Sequence, residues 1–488
     1  MIPLRLSAIA SVVGGVLHGD DVVVTAPAFV DSRAVEPGGL FVAIAGEHVD
    51  GHAYAEGAVA AGAAGVLGSR PTGVPTVVVD DPAVALGLLA RHVRDQLSGL
   101  TVLALTGSQG KTGTKDFLAQ ILAAAGETVA TAGNFNNELG VPLTVLRATE
   151  STRYLVVEMG ARGLGHISYL CGIARPDIAA VINVGTAHLG EFGTQQAIAQ
   201  AKGEIVEGLP ADGVAVLNAD DPLVAAMASR TPARVLRWGA IGGSTATDAP
   251  ESAESASIGG STATDAPIPR PDVGFKDVVL DELGRPRVSF NGTTGQSPVR
   301  VQVLEIGQHQ VLNAAAALTM ALAAGVDWLV AAQALEQARS LSRWRMEVHD
   351  RADGVTVIND AYNASPDAMR AAVDTLAGIK ERSGRRTIAV LAEMRELGGD
   401  AARIHTEIGA HAATAGVDVL LVIGDDAAPM LDGASKISDW SGTAVSAADR
   451  AAALAWLREN VAPGDVVLVK ASRGAALEHV ADGLLEKE

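Results

Sequence analysis

The stretch TGSQGKTGTK, Thr106 to Lys115, lies between an apolar run, Thr101–Thr106, and a helical pattern over Thr114–Ala125. A phosphate loop needs this strand–loop–helix context. Its usual spacing is a glycine, four free positions, then Gly-Lys-Thr. Gly110-Lys111-Thr112 supplies the end, but Leu105 stands where the distal glycine should be. The physical elements are still present. Gly107 and Gly110 let the backbone approach phosphate oxygens. Amides at the start of the following helix point at an anion, and the helix dipole favours it. Lys111 adds a point charge for the β- and γ-phosphates, and the Thr112 hydroxyl is placed to ligate Mg²⁺. The plain alternative, a glycine-rich turn with a solvated lysine, leaves Gly-Lys-Thr at a strand-to-helix turn unexplained. The run Gly107, Ser108, Gln109, Gly110, Lys111, Thr112 and Gly113 is therefore read as an ATP-type phosphate site.

The chain around this loop alternates strands and helices. Apolar strands are expected at Tyr154–Glu158, Ile178–Val184 and Val214–Asn218, with helical segments between them. Such alternation predicts a mostly parallel sheet covered on both faces. This block runs from 100 to 339 and ends near an alanine-rich helix, Val311–Ala324. Residues 1–99 form a first block of short strands and one helix, Tyr54 to Ala64. Residues 340–488 form a third block. Its strands are expected at Val355–Ile358, Thr387–Leu391, Val417–Ile423 and Val466–Val469, and its helices at Asp367–Ala377, Ala401–Ala415 and Ala447–Glu459. The expected fold class is α/β in three domains, with ligand sites at strand carboxyl ends between them. One segment breaks the pattern: Ile241 to Pro250 recurs letter for letter as Ile258 to Pro267. This insert, about 241–270, is Ser/Thr/Ala/Gly-rich without apolar periodicity and reads as a tolerated surface loop.

Composition narrows the classes. Hydrophobic residues make up 48% of 488 positions but aromatics only 3%, so the cores must be aliphatic. A formal charge of −19 argues against a nucleic-acid partner. A single cysteine, Cys171, excludes a disulfide framework or a Cys-based zinc site and reads as a small buried hydrophobe. The run Ala8–Leu17 has the look of a signal core, but only Arg5 is basic before it. An amphipathic first helix followed by a strand, Asp21–Val24, is the better reading. No apolar run reaches the roughly 18 residues of a membrane span. A soluble, cytoplasmic protein is expected.

Three further residues bear on chemistry. Glu158 ends a strand near the loop, where a carboxylate can hold Mg²⁺ or be an ordinary strand-end charge. His188, in INVGTAHLGEFG beyond another strand, is more often structural when alone, but beside Glu158 and the loop a metal role competes. Lys202 falls on a predicted helix, Gln195 to Gly208. The plain reading is a solvated helix lysine with Glu204 and Glu207 nearby. The sharper one is a carbamate formed with carbon dioxide, which needs a lysine kept neutral by its site.

Taken together these pieces resemble the ATP-dependent Mur ligases of peptidoglycan synthesis, over nearly the whole chain. Asp31-Ser32-Arg33, Pro37–Ala43, Gly46-Glu47 and Asp50-Gly51-His52 look like the family's uridine-diphosphate-binding N-terminal domain. Thr106–Thr112 matches the family's own loop, which lacks the distal glycine throughout. Gly133–Asn137 and Gly140–Thr144 resemble its substrate-side loop. Glu158, His188 and Lys202 fall where the family places magnesium ligands, Lys202 being the carbamylated one. Gly307-Gln308-His309 with Asn313 resembles the adenine-side motif, with Gln310 departing from it. Arg345-Met346-Glu347 resembles the linker arginine that reaches ATP. Asp360–Met369 resembles the pattern in the member that adds D-alanyl-D-alanine, with Ser365 and Ala368 as departures. Glu393–Gly398 with His405, and Val469–Gly474, fit the C-terminal domain.

The resemblance implies a small UDP-binding domain, a central P-loop ATPase domain and a Rossmann-like C-terminal domain. It implies ATP and two Mg²⁺ ions, with UDP-N-acetylmuramoyl-tripeptide and D-alanyl-D-alanine as small-molecule substrates and a monomer as the working form. Expected ATP contacts add Asn313, Arg345 and Asp360 to the loop. Expected substrate contacts are Ser32, Arg33, Asn136, Asn137, Tyr362 and Asn363. Catalysis is expected of Lys111, Lys202, His188 and Glu158, and metal ligation of Thr112, Glu158, His188 and Lys202. The rivals are the ligase adding the third peptide residue, a folylpolyglutamate synthetase, and a non-catalytic nucleotide-binding relative. The Asp31–Arg33 block argues against the folate enzyme, and the four intact site residues argue against the non-catalytic relative.

Overall fold

The computed structural model describes residues 1–46, 49–185, 192–241, 271–293 and 296–486. His188, Glu47 and the duplicated insert beyond residue 241 lie outside the described residues. The first unit opens with a helix, Leu6–Val13, that buries Leu6, Ile9, Ala10 and Val13 on one face, as its amphipathic reading requires. In chain order its strands are β1 (Leu4–Arg5), β2 (Val16–His18), β3 (Val23–Val24), β4 (Ala28–Phe29), β5 (Leu40–Val42), β6 (Gly65–Gly68) and β7 (Thr76–Val78). The helix expected over 54–64 is shorter, a 3₁₀ turn at Gly51–Tyr54 running into Ala55–Ala60. A longer helix, Pro82–Gln96, was not anticipated; Asp81 caps it and Pro82 sits in its first turn.

The central unit contains β8 (Thr101–Thr106), β9 (Thr128–Ala130), β10 (Tyr154–Glu158), β11 (Ile178–Val181), β12 (Val214–Asn218), β13 (Arg234–Ala240), β14 (Val273–Leu280), β15 (Pro286–Asn291) and β16 (Val299–Gln302). Among the described residues they form one sheet in the order β16-β15-β14-β13-β12-β11-β8-β10-β9. It is parallel from β9 to β14 and antiparallel at β14-β15-β16. Side chains alternate across it with the period of two that a strand imposes. Val102, Ala104, Leu155 and Val157 face one core, which continues into Leu6, Leu40, Leu67 and Leu86 of the first unit. Leu103, Leu105, Val156 and Ala180 face the other. There the alanine-rich helix Gln310–Ala323 buries Ala314, Ala315, Ala316 and Ala317. Such small side chains let it lie close to the helix Lys111–Ala123 that follows the loop.

The chain runs from β8 out to β9, back to β10 and then across to β11, so β10 and β11 flank β8 on opposite sides. That reversal is a topological switch point, and it opens a crevice at the carboxyl ends of the strands. The loop after β8, Glu158 at the end of β10 and residues 182–185 after β11 all meet there.

The third unit contains β17 (Glu347–Asp350), β18 (Thr356–Asp360), β19 (Thr387–Leu391), β20 (Val419–Ile423), β21 (Thr443–Ala447) and β22 (Val466–Lys470), in the order β17-β18-β22-β19-β20-β21. All pairs are parallel except β17-β18. Among the described residues no helix is long and apolar enough to cross a membrane.

The linker into this unit is clipped to the phosphate-loop helix. The amides of Leu341 and Ser342 donate to Asp116 Oδ2 at 3.1 and 3.0 Å. Lys115 pairs with Asp116 at 2.7 Å. The Ser340 amide donates to Glu305 Oε1 at 2.5 Å. Burial pushes the Glu305 carboxyl up to about 7, with Asp116 and Glu347 adding to the rise. An acid whose folded value lies above its unfolded one destabilises the fold as pH climbs between the two. The penalty is absent below about pH 4.5 and complete above about pH 7. Glu305→Gln keeps the acceptor without the charge, so it is expected to stabilise the protein by about 1–2 kcal/mol at pH 8 and by nothing at pH 4. Thermal unfolding of both proteins across that range checks this.

Candidate active site

The phosphate-loop helix begins one turn earlier than the sequence pattern indicated, at Lys111 rather than Thr114. Gly110 makes this possible by taking a left-handed conformation, φ 76°, at the N-cap. No side chain caps the helix, so the amides of its first turn have no helical acceptor and face the crevice. A Cβ on Gly110 would lie 2.3 Å from Asn313 Oδ1, and one on Gly113 2.8 Å from Asn313 Nδ2. Asn313 therefore braces the loop from behind. Its Nδ2 donates to Gln310 Oε1 at 2.8 Å, and only 4% of the residue is exposed. Gln310, the departure from the motif, is what orients Asn313.

Lys111 Nζ donates to the carbonyls of Gly107 at 2.7 Å and Ser108 at 3.4 Å. Burial holds its ammonium below the ordinary lysine value; the Glu158 charge opposes that shift and the Arg345 charge adds to it. Glu158 is 2% exposed. Its Oε2 accepts the Thr112 hydroxyl at 3.0 Å and its Oε1 accepts Asn136 Nδ2 at 2.8 Å. Among the described residues no cation pairs with it. A buried carboxylate whose hydrogen-bond partners are neutral, next to a hydroxyl at the phosphate end of a crevice, fits a bound divalent cation. Among the described residues no three His, Cys, Asp or Glu side chains gather. The donors on hand are thus a hydroxyl and a carboxylate, leaving the rest of a shell to phosphate, water and Lys202.

Lys202 departs from its plain reading. It is 5% exposed on the helix Gln195–Glu207. Glu204 turns away to cap another helix, accepting the amides of Gly165 at 2.6 Å and Ser168 at 3.0 Å. Glu207 pairs with Arg230 at 2.8 Å. No carboxylate among the described residues pairs with Lys202. Burial, then the Lys111 charge, hold its amine far below the ordinary lysine value. A lowered amine pKa is the direction that carbamate chemistry requires. Cys171 is buried as expected, its thiol pushed up to about 12 by burial and the Glu204 charge.

The third unit contributes from across the crevice. Arg345 lies over the Tyr362 ring, 4.1 Å from its centroid. The flanking Trp344 and Met346 have φ of 60° and 50°, a conformation side chains rarely adopt. Three bonds hold it: Trp344 N to Glu347 Oε2 at 3.0 Å, Tyr362 N to Trp344 O at 3.1 Å, and Met346 N to Asp360 Oδ1 at 3.1 Å. Asp360 Oδ2 receives Lys470 Nζ at 2.6 Å, and Lys470 also donates to the Asn363 carbonyl at 2.8 Å. Burial raises the Tyr362 hydroxyl, and both Arg345 and Glu158 act on it. Lys111, Glu158, Arg345 and Tyr362 are thus brought together.

Other candidates sit apart. Arg33 is paired with Asp31 at 2.8 Å on the surface of the first unit, its side chain 88% exposed. Arg33 holds the Asp31 carboxyl down at about 2. Asn137 caps the helix Gly140–Val145 through the amide of Gly140 at 2.9 Å. Asn183, to which the sequence assigned no role, lies against the phosphate loop.

This loop, crevice and third α/β unit define an ATP-dependent ligase of the Mur type, and the chain belongs to the Mur ligase family. The family models match in order: the Mur ligase family catalytic domain over 29–94, the Mur ligase middle domain over 105–321, and the Mur ligase glutamate ligase domain over 344–473. Among particular relatives, UDP-N-acetylmuramoyl-tripeptide–D-alanyl-D-alanine ligase of Mycobacterium tuberculosis is 45% identical, over 99% of this chain and 98% of its own. The ligase of that name from Escherichia coli is 35% identical over 100% and 99%. Of solved structures, MurF from Acinetobacter baumannii superposes with TM-score 0.83 at 30% identity, covering 99% of both chains. MurF from Thermotoga maritima, in complex with ADP, gives 0.72 at 29% identity over 94% and 97%.

Proposed function

We propose that this chain joins D-alanyl-D-alanine to UDP-N-acetylmuramoyl-tripeptide in the cytoplasm, giving the pentapeptide precursor, ADP and phosphate. The convergence of Lys111, Glu158, Arg345 and Tyr362 at one crevice carries the reading. The near full-length likeness to ligases of that name, and the run Tyr362–Met369, support the choice of acceptor.

A carboxylate does not accept an amine at neutral pH, because its leaving group would be oxide. Attack of a carboxylate oxygen on the γ-phosphorus breaks the bond to ADP and forms an acyl phosphate. The acceptor amine then attacks the carbonyl carbon, the C–N bond forms, phosphate leaves and the amine sheds its protons. The chain's task is charge neutralisation and positioning. Lys111 and the first-turn amides hold the β- and γ-phosphates, Asn313 braces them from behind, and Asn136 aims Glu158. Arg345 meets the nucleotide from the third unit, and Asp360, locked by Lys470, fixes the linker that carries it. Tyr362 and Asn363 line the acceptor side; Ser32, Arg33 and Asn137 belong to the UDP-substrate path. Two Mg²⁺ ions, one on Thr112 and Glu158 and one on His188 and carbamylated Lys202, would neutralise charge on the phosphates and on the substrate carboxylate. Closure of 340–488 over 100–339 excludes water from the acyl phosphate, with 1–99 holding the uridine end. The working form is read as a monomer.

Phosphate release from ATP with UDP-tripeptide is expected with D-alanyl-D-alanine and not with meso-diaminopimelate, lysine or glutamate. Release with UDP-dipeptide and a diamino acid instead would assign the chain to the third-residue step.

A further inference from the structure

The loop Gly107–Gly110 lacks the distal glycine of the longer phosphate loop, so something else must hold its first half. Asn183, two residues past the end of β11, fills that place. Its Oδ1 accepts the amides of Ser108 at 3.0 Å and Gln109 at 2.9 Å, and its Nδ2 donates to the Gln109 carbonyl at 3.2 Å. Its backbone carbonyl lies 3.2 Å from the same Ser108 amide. Gly185 N donates to Ser108 Oγ at 2.9 Å. The base beneath Asn183 is itself fixed. Asn218 Nδ2 donates to the Ile182 carbonyl at 3.0 Å, the Val184 amide to Asp221 Oδ2 at 2.8 Å, and Gln195 Nε2 to the Val184 carbonyl at 2.8 Å.

An amide has one hydrogen. Those of Ser108 and Gln109 are committed to Asn183, which leaves Gly110 and the first helical turn for the phosphates. We infer that Asn183 is a positioning residue: its carboxamide takes the acceptor role for the first half of the loop, folding the shortened loop before nucleotide arrives. A loop ordered in advance spends less of its binding free energy on ordering. The inference rests on Gly107–Lys111 being the nucleotide phosphate site.

The test measures Mg²⁺–ADP affinity, UDP-substrate affinity and hydrogen exchange of the loop peptide in the full chain. Asn183→Ala is expected to weaken ADP by about tenfold or more, the scale of two or three hydrogen bonds of modest net worth. UDP-substrate affinity should stay within about twofold. Loop exchange should rise in the free protein and fall again on adding ADP. Asn183→Asp keeps the acceptor and should retain the protection. Lys111→Ala runs alongside. If it weakens ADP while Asn183→Ala does not, the inference alone fails; if neither does, the phosphate-loop reading fails too. Equal loss of ADP and UDP-substrate affinity in Asn183→Ala would overturn a positioning role in favour of general destabilisation. Should that variant not fold, wild type still decides: a loop peptide unprotected without nucleotide contradicts the inference.

Discussion

Lys202→Ala is expected to lower ligation by about 10²–10³-fold, and formate, acetate or propionate to restore part of the loss. The scale is that of removing one preorganised charged group from a transition state. The reason lies in burial. The amine is nearly inaccessible, has no carboxylate partner among the described residues, and has its pKa lowered by desolvation and by the Lys111 charge. A buried amine without a partner gains nothing for the fold. Converted to a carbamate it would become an anion within reach of the Lys111 charge. The alanine variant should therefore unfold at or near the wild-type temperature while losing turnover. Full activity in that variant would end the carbamate reading; rescue by short carboxylates is the signature no purely structural role would give.

Lys111→Ala should reduce ATP-dependent turnover by a similar 10²–10³-fold and leave UDP-substrate affinity within about twofold. Lys111 bonds within the phosphate loop of the central unit, while Arg33 pairs with Asp31 on the surface of the first. Nucleotide and uridine binding are then separable. Calorimetric titration of each ligand checks the separation. Loss of both together would mean either misfolding or a wrong division of the chain into units.

Where the sequence could be read, local periodicity carried the information. Strands Tyr154–Glu158, Val214–Asn218 and Thr387–Leu391 are apolar runs buried on both faces, and their ends match the expected ones. β21 was missed because most of it is exposed at a sheet edge, with no apolar run to mark it. The strand–loop–helix turn at Thr106–Lys111 was legible because its glycines and the flanking apolar run are local signals. Lys202 was misread in its plain form because Glu204 and Glu207 are neighbours in sequence but find their partners, a helix end and Arg230, elsewhere in the fold. The pose of Arg345 could not be foreseen, since nothing in Trp344 or Met346 favours a positive φ; tertiary hydrogen bonds impose it. Asn183 was invisible for the same reason: an asparagine after a strand has no local signature, and its three bonds cross 74 or 75 positions of sequence.

The central claim is that this crevice activates a carboxylate by phosphorylating it. UDP-tripeptide labelled with ¹⁸O in both oxygens of its reacting carboxylate, turned over with ATP and D-alanyl-D-alanine, tests that directly. Transfer through an acyl phosphate carries one labelled oxygen into each phosphate released, read by mass spectrometry. Phosphate released without label, alongside formation of the amide, would contradict the account.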